Sequence, residues 1–96
     1  GIKLLTQLDG TAFYNKQGVK TVKIPESVNK IGNTAFTNCS DLSLVEIYTE
    51  IPPTLESTNA FNGTESGLII KVPAVSLAEY EIHWAGKING AVLQAL

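Results

Sequence analysis

A single cysteine, Cys39, stands in the 96 residues, so no intramolecular disulfide can form, and a Cys-x-x-Cys metal or redox pair is excluded. Secreted proteins can do without disulfides, so the compartment stays open on this ground. A basic run is also missing. Seven basic residues face nine acidic ones for a net charge of −2. A surface that tracks phosphates needs clustered positive charge, so nucleic acid is not an expected partner. No apolar stretch approaches the roughly 18 residues of a membrane span. The start, Gly1-Ile2-Lys3-Leu4-Leu5, lacks the basic segment and long apolar segment of a signal peptide. There is one histidine, His83, and no carboxylate pair, nucleophile–base set or metal-ligand cluster recurs. No catalytic residue, metal or cofactor is therefore expected.

What is present is a 44% hydrophobic chain of one-domain length. At this size roughly 60 to 70% of the unfolded surface can be buried, so a core needs no staple. Disorder does not fit this composition.

The chain repeats itself. Thr11-Ala12-Phe13 returns as Thr34-Ala35-Phe36 after 23 residues, and Asn59-Ala60-Phe61 follows after 25. A second motif keeps the same spacing: Val22-Lys23-Ile24-Pro25, then Val45-Glu46-Ile47-Tyr48, then Ile70-Lys71-Val72-Pro73. Leu55 lies one residue further from its Ala-Phe pair than Leu8 or Ile31 does, so an insertion falls between them. Two unlike motifs recurring in step define a repeat architecture.

Each motif has a physical reading. Apolar–charged–apolar is period two, a short half-buried strand with Val22 and Ile24 inward and Lys23 outward. Pro25 and Pro73 cannot donate to a ladder and should end their strands. The chain then re-enters the core at Ile31, and Ala35-Phe36 is expected in a single helical or 3₁₀ turn. One 23-residue turn cannot bury its own apolar edges, but stacked turns bury each other's. The residue pattern implies an α/β solenoid of stacked turns with parallel strands on one face and 3₁₀ or helical turns on the other. It forms one domain over 1–96, with repeats near 5–18 (partial), 19–41, 42–66 and 67–96.

The stretch from Val22 to Ser40, with Ile24-Pro25, Ser27-Val28, Ile31-Gly32, Ala35-Phe36 and Cys39-Ser40, resembles the BspA-type leucine-rich repeat almost position by position. The resemblance covers about residues 5–84. Val72-Pro73-Ala74-Val75-Ser76-Leu77-Ala78-Glu79-Tyr80 with Trp84 resembles the end of such arrays. There Ser76 is expected to cap a short helix with Glu79 as its capping-box partner. Leu77, Tyr80 and Trp84 would share one face and cover the last strand. The resemblance makes the expected fold a leucine-rich-repeat solenoid with a C-terminal cap. It implies a bacterial surface or secreted protein that recognises a protein or glycan without catalysis. The alternative it leaves is a structural cap or spacer of a larger surface protein.

The site residues follow from the strand pattern. Lys23, Glu46 and Lys71 should form an outward ladder, with Thr21, Leu44 and Ile69 beside it. Leu44 and Ile69 are apolar where water is expected, which marks a contact surface. His83 could pair with Glu79 four residues earlier, but reads more simply as a surface residue. Cys39 reads as a buried small hydrophobe. Asn38-Cys39-Ser40 and Asn62-Gly63-Thr64 match the glycosylation pattern, without meaning in a bacterial protein. Asn62 to Gly67 reads as a turn. Ile2 to Leu5 offers an uncovered edge, which predicts either further chain upstream or a homodimer through that edge. The tail from Ala91 to Leu96 fits a last strand or a helix equally well.

Overall fold

The computed structural model describes residues 7–8, 12–65 and 67–96. The expected edge at Ile2–Leu5, and Thr11 of the first motif copy, lie outside them. The elements in order are β1 (Gln7–Leu8), β2 (Thr21–Ile24), β3 (Lys30–Ile31), β4 (Leu44–Ile47), β5 (Thr54–Leu55), β6 (Ile69–Val72), a 3₁₀ turn (Ala74–Ser76), α1 (Leu77–His83) and β7 (Val92–Ala95).

They form two parallel sheets. The larger runs β2-β4-β6-β7 and the smaller β1-β3-β5. Every apolar–charged–apolar motif became a strand of the larger sheet. Burial alternates along β2, with Val22 and Ile24 buried and Thr21 and Lys23 exposed. β2 and β6 stop at the residue before Pro25 and Pro73, where the missing N–H ends the ladder. The smaller sheet was not foreseen as a sheet, because two-residue strands are too short to show a period. Its signal was the apolar position shared by Ile31 and Leu55, which are register partners.

The Ala-Phe limbs are short hydrogen-bonded turns with the expected 3₁₀-type bonds, Ala35 N–H to the Gly32 carbonyl at 3.2 Å and Thr37 N–H to the Thr34 carbonyl at 3.1 Å, and they do not run on into a helix. Their amides explain this. Phe13 N–H donates to the Ala35 carbonyl at 2.8 Å, Phe36 N–H to Ala60 at 2.9 Å, and Asn38 N–H to Asn62 at 2.8 Å. A helix would consume those donors within one limb. Here they tie each limb to the next. Phe13, Phe36 and Phe61 consequently stack in one row, with centroids 5.3 Å apart at both steps and planes within 7°. Trp84 continues the row at 6.0 Å from Phe61.

The core is built from inward positions of every turn, including Ile24, Val28, Ile31, Phe36, Leu42, Val45, Ile47, Phe61, Leu68, Ile70, Tyr80 and Trp84. Among the described residues, α-helical structure enters only after β6. The helix was expected to cover the last strand. Instead α1 belongs to the crossover between β6 and β7, and the tail adds a further parallel strand in register with β6. A parallel pair needs a connection of a dozen or more residues, commonly a helix, and residues 73–91 supply it. Ser76 does not cap α1 with its side chain. Its amide bonds the Pro73 carbonyl at 2.9 Å inside the 3₁₀ turn, and the residue is buried. Tyr80 and Trp84 face inward as expected, each ending on a backbone carbonyl. The Tyr80 hydroxyl donates to Thr49 O at 2.6 Å and the Trp84 indole N–H to Pro53 O at 2.9 Å.

Candidate interaction face

The outward side of the larger sheet holds all six residues singled out from the strand pattern. Parallel register sets Thr21 beside Leu44 and Leu44 beside Ile69, and sets Lys23 beside Glu46 and Glu46 beside Lys71. β7 extends both rows with Val92 next to Ile69 and Gln94 next to Lys71. Val92 was missed because the tail did not reveal itself as a strand. Its signal was the 23-residue spacing from Ile69, the same as between Thr21 and Leu44.

The face is therefore two adjoining rows. One is Thr21–Leu44–Ile69–Val92, apolar in three of four places. The other is Lys23–Glu46–Lys71–Gln94, alternating in sign over its first three. Leu44, Glu46, Ile69 and Lys71 are half-buried by their neighbours across the strands, whereas Thr21 and Lys23 are exposed. Val92 is 47% exposed. Opposite charges on adjacent strands favour the register. Among the described residues, however, neither lysine comes within ion-pair distance of Glu46. Glu46 instead accepts a hydrogen bond from the Tyr48 hydroxyl at 3.0 Å. The carboxylate beside it pushes the Tyr48 phenol above its usual range, chiefly through that bond.

The remaining candidates lie elsewhere. His83 and Glu79 pair at 3.4 Å on the exposed side of α1, with both side chains in solvent. Cys39 is fully buried, and its thiol donates to the Phe13 carbonyl at 2.8 Å. Burial pushes that thiol up from its ordinary value, against a smaller opposing effect of a backbone hydrogen bond from Lys16. Neither residue meets the sheet face. Among the described residues, no three His, Cys, Asp or Glu side chains converge to hold a metal ion, and no helix is long and apolar enough to cross a membrane.

Asn15 and Asn38 occupy the same place in successive turns, both with positive φ, and Gly63 and Gly86 follow at that place. Only glycine and short polar residues take this conformation cheaply. The two asparagines of the matched repeat are thus explained by backbone geometry.

Over residues 3–81 the chain matches a family model described as a BspA type leucine rich repeat region (6 copies). The chain belongs to the BspA-type leucine-rich repeat family. Its parallel sheets and mixed α/β content fit that family, which points to a repeat-based surface protein module. Members of this repeat class are typically non-catalytic and generally mediate protein binding. No curated protein matches the chain.

Proposed function

We propose that this chain is a non-catalytic adhesion or recognition module of a bacterial surface or secreted protein, and that its partner sits on the outward face of the larger sheet. The residues concerned are Thr21, Lys23, Leu44, Glu46, Ile69 and Lys71, now joined by Val92. One observation supports this reading most. Three apolar side chains lie in an unbroken row across adjacent strands on the solvent side, next to a row of charges. Water gains nothing from such a row, whereas a partner can bury it. The fold is read as a solenoid whose turns all point one face outward. Residues after β6 continue the stack with β7, and Ile88 and Leu93 pack against the core that holds Trp84.

The ligand is a protein in this reading, because an apolar row with flanking charges suits a polypeptide better than a glycan. The test is the combined change of Lys23, Glu46 and Lys71 to alanine, together with Leu44→Ser. Binding to immobilised matrix proteins should fall by about tenfold or more for a contact losing its apolar centre. Unchanged binding would instead favour a spacer of a larger surface protein, which has no ligand of its own.

A further inference from the structure

Beyond the sheet face, the carboxyl ends of the strands carry a second concavity. It is walled by Tyr48, Ile51, Pro73 and Leu96 and rimmed by Glu26 and Glu50. It adjoins a second one-residue insertion, distinct from the one between Leu55 and Ala60. Ile24 pairs with Ile47 at an offset of 23 residues, but Ile31 pairs with Leu55 at 24. One extra residue is therefore placed between β4 and β5, and the loop that absorbs it pushes Ile51 out to 79% exposure. In the same lining, Tyr48 is 41% exposed and has its hydroxyl held by Glu46, and Leu96 is 48% exposed. Four of the lining residues, Tyr48, Ile51, Pro73 and Leu96, are thus apolar, alongside the polar Ser27 and Thr49, and the aromatic one is tethered.

The rim is of one sign. No basic residue lines the groove, and among the described residues Glu26 and Glu50 enter neither of the ion pairs, Lys30–Glu56 and His83–Glu79. A depression with an apolar patch and two uncompensated carboxylates at its edge is complementary to a chain carrying an apolar group beside a cation.

We propose that this groove binds an extended peptide segment in which a lysine or arginine stands next to an aliphatic residue. The aliphatic side chain lies between Tyr48, Ile51 and Pro73, and the cation faces Glu26 and Glu50. This deepens the recognition reading by naming a partner chemistry, and rests on it. The groove adjoins the six ladder residues through the Tyr48–Glu46 hydrogen bond, so variants at Lys23 and Lys71, which leave Glu46 in place, let the two fail independently.

The test is a titration of the ¹⁵N-labelled chain with an amidated six-residue peptide holding leucine beside lysine within glycine and serine. The same peptide with glutamate for lysine serves as control. Saturable amide shifts are expected at Tyr48, Thr49, Glu50 and Ile51. The double variant E26Q/E50Q should weaken binding about fivefold, the range expected for two exposed ion pairs. I51S should weaken it as well, and K23A/K71A should leave it unchanged. All are surface substitutions whose fold is read from the same spectra. Absence of a saturable shift, equal binding of the glutamate peptide, or shifts confined to Lys23, Glu46 and Lys71 would overturn the groove. The last result would leave the sheet face standing as the binding site.

Discussion

Phe36 is fully buried with an aromatic ring stacked on each side, while Phe13, at one end of the row, is only partly buried. Deleting a ring between two others empties space that neither neighbour can fill. Phe36→Ala should cost about 3–5 kcal/mol, a large share of the roughly 5–14 kcal/mol expected of a chain this size. Phe13→Ala should cost clearly less, and urea melts of the two variants would compare them. Tyr80 supplies a pH signature. Burial pushes its phenol well above the usual tyrosine range. The unfolded chain therefore loses this proton near pH 10 while the folded chain keeps it. Its contribution is intact below about pH 10 and is lost as pH rises further. Melting temperature should fall steeply above that point, with the buried Cys39 thiol adding to the same trend at slightly lower pH. Tyr80→Phe should flatten the alkaline limb. It should also cost about 1–3 kcal/mol at neutral pH by leaving the Thr49 carbonyl unpaired. A melt series from pH 8 to 11 reads both effects.

At the scale of elements, the left-handed position that recurs from turn to turn is the most exacting feature. Gly63 has φ +76°, and a Cβ there would collide with the Asn38 side chain. Gly67 has φ +85° but open space around it. Gly67→Ala should therefore cost about 1 kcal/mol for backbone strain alone, and Gly63→Ala more, as thermal melts would show. The charged row gives a second contrast. Glu46→Lys would set three like charges side by side and should destabilise by about 0.2–1 kcal/mol. The loss should shrink in high salt because these side chains are at least partly in solvent. If the loss persists in 1 M salt, the cause lies in the Tyr48–Glu46 bond instead. These elements also show what the residues could reveal. The strands at Val22, Val45 and Ile70 were legible because alternation of apolar and charged residues survives even in four-residue strands. β3 and β5 were not, since two residues carry no period. β7 was not, because Ala91 to Leu96 is nearly all apolar and alternates nothing.

For the whole molecule, the larger sheet keeps two outer strands, β2 and β7, with no further strand beside them among the described residues. Open edges invite pairing with another chain. If two copies join along such an edge, light scattering at rising concentration will report a mass moving up from 10.3 kDa. A constant 10.3 kDa at high concentration would remove the dimer. The sequence by itself determined the turn length, the strands that carry the charged row, the side each residue of that row faces, and the family. All of these follow from local periodicity, which any stacked repeat must obey. Only the tertiary structure decided the rest. It kept the Ala-Phe limbs as short turns, because alternate amides find partners one turn away. It placed α1 within a crossover, because β7 pairs alongside β6. It set a groove beside Tyr48, next to the loop that takes up one residue more than its neighbour. Those outcomes depend on what lies across the stack from each residue, and a linear chain does not state its neighbours.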